Sequence, residues 1–297
     1  MKVLNFGSLN LDYVYQVDHF TKPGETQSAF SQTVNPGGKG LNQSIALKKA
    51  GIDVYHAGCV GKGGQMLKDL LEKSGVRTEY LYPSDEIQGN AVIQVDPKGQ
   101  NSILLFGGSN QCITETQIIR TLSHFSAGDY LVLQNEINYL PLIVEKAYEK
   151  GMVIVFNPSP CNEKNKEIDL RKISWLLINE IEMMQLTGTE QPEEAWHILS
   201  EKYPDMKLLL TLGAEGSFVF TAKKRKYQKA IPVKAVDTTA AGDTYTGYFV
   251  AGLCEGLTLE ECMLRASMAA AISVTRPGAA GSIPSRKEVE EALKNLE

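Results

Sequence analysis

The sequence predicts an α/β protein of three layers, α/β/α, with a mainly parallel central sheet and a small β-sheet lid beside it. Three observations predict it. Short uninterrupted apolar runs recur along the chain, each closing on polar residues or glycine. Helical periodicity fills the stretches between several of these runs. Two further stretches alternate aromatic or aliphatic with polar residues around proline-glycine turns. Apolar runs of four or five residues are how strands covered on both faces read, and their alternation with helices places the helices on both sides of a parallel sheet.

Taken in order, residues 3–6 (Val-Leu-Asn-Phe) form the first run and lead into Gly7, Asn10 and Asp12. Residues 13–34 break the rhythm: Tyr13, Tyr15 and Val17 precede a Pro23-Gly24 turn, and Ala29 to Val34 follow it, as in an antiparallel hairpin. Helical spacing covers 41–50 and 64–74. Residues 90–106 give a second hairpin around Pro97-Lys98-Gly99. The run 130–133 closes on Gln134, Asn135 and Glu136 and is followed by a helix over 138–150. The run 152–156 closes on Asn157-Pro-Ser-Pro160, 175–178 on Asn179-Glu180, and 208–212 on Gly213. Further helices are expected over 192–203, 241–253 and 259–274. The whole chain, 1–297, thus reads as one domain, with hairpins at about 13–34 and 90–106 outside the main sheet. Parallel sheets bind ligands beyond the carboxyl ends of their strands, which makes Asp12, Glu136 and Asn179 site candidates by position. Each of them alone could equally be a loop residue or a cap.

Composition narrows the function classes. Hydrophobic residues make up 43% and charged residues 22% of 297, as in a folded globule. The formal charge of −5 comes with no basic block, so no nucleic-acid partner is expected. No apolar run approaches membrane-spanning length, and the first residues meet Asp12 too early for a signal peptide. Five cysteines (Cys59, Cys112, Cys161, Cys254 and Cys262) without a C-x-x-C pair argue against a disulfide framework or a zinc site and fit a reducing, cytoplasmic setting. The four histidines lie far apart, with no metal-binding spacing.

Two motifs carry chemistry. Pro36-Gly37-Gly38-Lys39-Gly40-Leu41-Asn42 opens a helix, and its glycines let backbone approach a ligand; it lacks the G-K-[ST] of a Walker loop. Asp237-Thr238-Thr239-Ala240-Ala241-Gly242-Asp243 precedes an apolar helix. Small residues there leave amides open at a positive helix end, an arrangement suited to an anion, with Asp243 in the first turn. Asn179-Glu180-Ile181-Glu182 and Thr211-Leu212-Gly213-Ala214-Glu215-Gly216 could each be a helix start or a hairpin turn.

In this order, from Gly7 to Pro284, these features resemble the carbohydrate kinases of the ribokinase-like (PfkB) family, whose two signatures match Gly38 to Gly61 and Asp237 to Asp243. The resemblance implies ATP-dependent transfer of a phosphoryl group to a primary hydroxyl of a small sugar, D-ribose first among them. It implies that Asp12 and Asn42 hold sugar hydroxyls, with Asn10, Gly38, Lys39, Gly40 and Glu136 completing the pocket. Asp243 would be the base, and the amides of Ala240, Ala241 and Gly242 the anion hole. Asn179, Thr211 to Gly216 and Ser267 would line the nucleotide site, and Glu182 would help organise Mg2+. A K+ ion would lie among Asp237, Thr239, Ser273, Arg276, Gly278 and Ser282. The family often dimerises through its lids, and an apolar lid face here would favour a homodimer. Two departures stand out: Tyr248 replaces the small residue expected one turn along the helix, and Arg276 precedes Pro277, which biases it toward extended backbone.

Other readings are a kinase for fructose or a nucleoside such as adenosine, and a sugar-binding regulator without chemistry. The polar set at Asp12, Asn42 and Glu136 favours a bare sugar, and the intact Gly242-Asp243 favours chemistry. A nicotinamide dehydrogenase is excluded by the lack of G-x-G-x-x-G after the first strand.

Overall fold

The computed structural model describes residues 1–296. In chain order the strands are β1 (Val3–Phe6), β2 (Asn10–Gln16), β3 (Ser31–Gly37), β4 (Val54–Lys62), β5 (Arg77–Ile87), β6 (Asn90–Val95), β7 (Asn101–Phe106), β8 (Tyr130–Gln134), β9 (Val153–Asn157), β10 (Trp175–Asn179), β11 (Lys207–Thr211), β12 (Ser217–Phe220) and β13 (Arg225–Gln228). The helices are α1 (Lys39–Lys49), α2 (Gln65–Lys73), α3 (Glu115–Leu122), α4 (Leu140–Glu149), α5 (Glu180–Thr187), α6 (Pro192–Lys202), α7 (Ala241–Cys254), α8 (Leu259–Val274) and α9 (Arg286–Lys294).

Among these residues a nine-stranded sheet runs in the order β13-β12-β11-β10-β9-β8-β1-β4-β5, parallel from β11 to β5, with β12 and β13 antiparallel. Its apolar runs split by alternate residues. Leu131 and Leu133, Ile154 and Phe156, and Leu176 and Ile178 pack toward α3, α4 and α6. Val132, Val155 and Leu177 pack toward α1, α7 and α8. This is the period of two expected when both faces are covered. In β1, Leu4 and Phe6 belong to the first layer and Val3 to the second, while the alternating position on the second face is Asn5, fully buried.

The two expected hairpins form a separate four-stranded sheet, β3-β2-β6-β7, with β2 and β6 parallel at its centre. The strands reach further than the alternation indicates: β2 begins at Asn10 and β3 ends at Gly37, so Asn10 and Asp12 sit in the small sheet rather than at the end of β1. The chain crosses between the sheets at residues 7–9, 37–38, 88–89 and 107–108, and each crossing contains glycine. Gly38 has φ 93° and Gly108 φ 47°, a region that favours glycine.

Several elements escape the sequence patterns. β4 is interrupted by His56 and Gly58, and β5 mixes charged and apolar residues. β12 and β13 lie at a sheet margin, where β13 reads Arg-Lys-Tyr-Gln. α3 and α5 are short, and α9 buries only Val289. The turn at Asn179 is a helix start, with a reciprocal cap between Asn179 and Glu182. The stretch from Thr211 to Gly216 is the turn of the β11–β12 hairpin, so the strand expected over 208–212 ends at Thr211. Tyr248 finds room on the far side of α7, where its hydroxyl donates to the Pro284 carbonyl at 2.9 Å.

Candidate active site

α7 begins at Ala240, whose φ of 59° is unusual for a residue with a side chain and is held by the turn from Thr238. That turn engages one amide expected to be open: Ala241 N–H donates to the Thr238 carbonyl at 3.2 Å. Gly242 faces open space, and a Cβ there would meet nothing within 4 Å. Asp243 is buried in the first turn of α7, with a side-chain amide on each oxygen. Asn42 Nδ2 donates to Oδ2 at 3.0 Å and Gln43 Nε2 donates to Oδ1 at 2.9 Å. Both donors come from α1, so the two sequence motifs meet at this carboxylate. Asn42 Oδ1 is buried without a partner, leaving one acceptor beside Asp243 for a ligand hydroxyl.

Glu136, just beyond β8, fastens the glycine-rich turn. Its Oε2 accepts from Ser8 Oγ and from the Lys39 N–H at 3.1 Å. Ser8 Oγ in turn accepts from Gly40 N–H at 3.2 Å. Gly40 has no room for a side chain, since a Cβ would lie 2.3 Å from Ser8 N; it serves close packing rather than ligand contact. Gly37 makes way for Asp12 in the same manner, a Cβ there falling 2.0 Å from the Asp12 carboxylate. Burial, and then the Glu136 carboxylate, push the Asp12 carboxyl up to about 7. Burial also pushes Glu136 up, against the pull of the Lys39 ammonium. Lys39 itself is lowered by burial, but the carboxylates of Asp243, Glu136 and Glu182 outweigh this and hold its ammonium above the ordinary range. The ammonium is thus influenced by three acids, from α7, α5 and the turn after β8.

Two cavities lie near these residues. One, of about 240 Å³, lies between Lys39, Asn179, Thr211, Thr238, Gly242 and Asp243. The other, of about 330 Å³, is walled by Asn10, Asn110 and Glu136 and by Leu105 and Phe106 of the small sheet. The structure thus brings Asn10, Lys39, Asn42, Glu136 and Asp243 to one place. The expected nucleotide-site residues divide: Asn179 and Thr211 line the first cavity, whereas Leu212 and Glu215 line a neighbouring groove beside Ile181 and Met184. Ser267 is buried on α8 and lines neither cavity.

Glu182 lines the first cavity, with one carboxylate oxygen accepting the Asn179 N–H at 3.1 Å. Among the described residues no three acidic, histidine or cysteine side chains converge as a metal cage. A magnesium ion that travels with phosphates and keeps its waters needs no such cage, and Glu182 with Asn157 offers it oxygen acceptors. Of the residues expected around K+, Asp237 joins two, its oxygens accepting from Thr239 N–H at 2.9 Å and Gly278 N–H at 2.8 Å; the Ser273 and Ser282 hydroxyls donate to the Ala270 and Ala279 carbonyls. Burial pulls the Asp237 carboxyl up, but the bonds from Thr239 and Gly278 hold it below its usual value. Two loops that could offer carbonyls to a cation are thereby tied together; Arg276 points instead to Glu288, at 2.6 Å.

The sequence reading missed Ser8, Gln43, Asn110 and Gln134. Asn110 buttresses the floor of the second cavity, donating to Asn10 Oδ1 at 2.7 Å and accepting from Leu9 N–H at 2.9 Å. It stands in a short turn with no local signal. Gln43 adjoins Asn42, and Gln134 closes an apolar run; those were the only hints.

Comparison with known proteins bears on the family and the fold. The sequence model described as the pfkB family carbohydrate kinases matches residues 1–286. A ribokinase of Haemophilus influenzae is 36% identical over 97% of both chains. Among solved structures, a ribokinase of Thermotoga maritima superposes with a TM-score of 0.88 at 37% identity, covering 99% of this chain and 100% of that one. A ribokinase of Arabidopsis thaliana complexed with ribose and ATP gives 0.87 at 30% identity, covering 99% and 98%.

Proposed function

The chain belongs to the pfkB family of carbohydrate kinases, and from that premise we propose that it transfers the γ-phosphoryl group of ATP to the 5-hydroxyl of D-ribose. The observation that carries this reading is one buried carboxylate, Asp243, at an open helix start, lining a cavity that reaches Asn179 and Thr211. A second cavity, walled by Asn10, Asn110 and Glu136, has room for a small sugar. The ribose and ATP bound to the Arabidopsis relative support the choice of both substrates.

In this reading the sugar lies in the second cavity under Leu105 and Phe106, with hydroxyls on Asp12, Asn10, Asn42 and Glu136. The nucleotide runs from Asp243 past Asn179 and Thr211 to the groove at Leu212 and Glu215. A carboxylate of ordinary basicity cannot strip an alcohol in the ground state, so the proton reaches Asp243 late, as the oxygen bonds to phosphorus. The amides of Ala240 and Gly242, joined by that of Ala241 once it leaves the Thr238 carbonyl, face the charge on the transferring group. Lys39, which lines the first cavity, adds its ammonium there. Mg2+, arriving with ATP and positioned through Glu182, supplies charge neutralisation on the phosphates. K+ held by carbonyls around Asp237 would stiffen the loop that leads into α7. The small sheet keeps water from the phosphoryl group. We further propose that this sheet pairs with that of a second copy, because Phe30, Val34, Ile103 and Leu104 are exposed on it, and that the protein works in the cytoplasm, where ATP is made and its five unpaired cysteines stay reduced.

An ATP-coupled assay across pentoses, hexoses and nucleosides tests the reading. Ribose should give the highest kcat/KM. Preference for fructose or adenosine would overturn the sugar assignment, and no turnover with any alcohol would overturn the kinase assignment.

A further inference from the structure

Asp243 stands at the end of a chain of buried side-chain amides whose direction can be followed from its other end. The Gly40 carbonyl can only accept. Asn5 must therefore present Nδ2 to it, at 2.7 Å, and to Ser44 Oγ at 2.8 Å. Asn5 Oδ1 then faces Gln134, which must present Nε2, at 2.9 Å. The same Nε2 donates its other hydrogen to Gln43 Oε1 at 2.7 Å. Gln43, with its oxygen taken, can turn only its NH2 toward Asp243. A glutamine amide is nearly symmetric in shape and could as well show its oxygen to the carboxylate, which would repel it. The orientation of Gln43 is thus fixed from a main-chain carbonyl through β1 and β8.

Asn5, Gln43 and Gln134 are all fully buried. Gln134 Oε1 has no partner at all, although it is buried. A buried orphan of this kind is unfavourable, and hydrophobic residues would fill the space between β8 and α1 without it. Stability therefore gives no reason for glutamine here, whereas the direction of the amide chain does.

We propose that Gln43, Gln134 and Asn5 are positioning residues for phosphoryl transfer. Gln134 and Asn5 hold Gln43 with its amide hydrogens toward Asp243, and Gln43 with Asn42 then fixes the carboxylate with one amide on each oxygen, leaving its outer lone pair for the sugar hydroxyl. The inference deepens the kinase reading of this site and rests on it for the role of Asp243.

Five proteins test it: Gln43→Met, Gln134→Met, the double variant, and Asp243→Asn with and without Gln134→Met. Each methionine keeps the side-chain volume close to that of glutamine. Either single change should lower kcat by about tenfold or more with the KM of sugar and ATP within about twofold, as for groups that act in the transition state. The double variant should be no slower than Gln43→Met, because Gln134 acts only through Gln43. In Asp243→Asn, adding Gln134→Met should change kcat by less than about twofold. A merely structural role would instead give additive losses that persist in Asp243→Asn.

A second readout needs no turnover. In 1H–15N spectra the Gln43 side-chain amide should be protected from solvent exchange in the wild type and lose that protection in Gln134→Met. This separates the two ideas: a wild type that phosphorylates no alcohol ends the kinase reading, whereas an unprotected Gln43 amide in the wild type, or one equally protected in Gln134→Met, ends the amide chain. If Gln134→Met does not fold, Asn5→Leu takes its place in the same measurement. A kcat within twofold of wild type in a folded Gln43→Met overturns the proposal.

Discussion

Asp243 carries a side-chain amide on each carboxylate oxygen and lines one cavity, and in the proposed reaction its remaining lone pair serves the sugar hydroxyl. Asp243→Asn should reduce kcat by roughly 10²–10⁴ with nucleotide affinity nearly unchanged, because the base is lost and the binding groups are spared; nucleotide titration beside single-turnover kinetics measures both. Asp12 offers a pH test. Its carboxyl is raised from 3.8 to about 7 by burial and by Glu136. An acid that ionises later in the folded chain than in the unfolded one makes stability fall as pH rises between those two values, and level off above. Sugar hydroxyls donate best to the ionised form, so kcat/KM for the sugar should climb as pH rises through about 7. Asp12→Asn should flatten that climb, which a profile from pH 5.5 to 8.5 would show. At this scale Asp243, Asn42, Asp12 and Glu136 were legible, because each stands in a motif or closes an apolar run. Gln43 and Gln134 were not, since the bond that gives them meaning joins residues 91 positions apart and leaves no local pattern.

At the scale of elements, the contact between α1 and α7 decides where the two motifs meet. Gly247 lets the helices touch: a Cβ there would lie 2.4 Å from Ala46 Cβ and 2.9 Å from its backbone carbon. Gly247→Ala should cost about 1–3 kcal/mol by overpacking, read by urea unfolding. It should also lower kcat by moving Asp243 away from Asn42, and Ala46→Gly in the same chain should recover part of both. Asp237 links the loops at 236–240 and 276–282 through the Gly278 N–H. Asp237→Ala should remove most of the activation by K+ relative to a bulky organic cation; a variant still activated by K+ would place the cation elsewhere. The parallel strands β8 to β11 were legible because helices cover both their faces, which makes their residues mostly apolar, whereas the parallel β4 and β5 carry polar and glycine interruptions. β13 and α9 were not, because a sheet margin and a mostly exposed helix are allowed to be polar, and α5 continues from β10 with only its cap as a marker.

For the whole molecule, the small sheet shows apolar residues on both faces of its outer strand, with Leu104 72% exposed and Ile103 53%. A four-stranded sheet so exposed is satisfied by a second copy across a two-fold axis. Light scattering at micromolar concentration should give twice the 32.6 kDa chain mass, and Phe30→Glu with Leu104→Lys should return it to one chain. A wild type that scatters as a single active chain would show that the sheet stands alone. The order of the main sheet also bears on how the protein is made. β1 lies inside it, with Val3 paired to Val54 on one side and to Tyr130 on the other. During synthesis at about 5–20 residues per second, the first strand can find β4 early but must wait on the order of ten seconds for β8. Through that interval the growing chain presents an open parallel edge carrying Leu4 and Phe6, the kind of edge to which other strands add. The period of greatest exposure to misassembly thus falls on the ribosome, before Gln134 and Asp243 exist to complete the site.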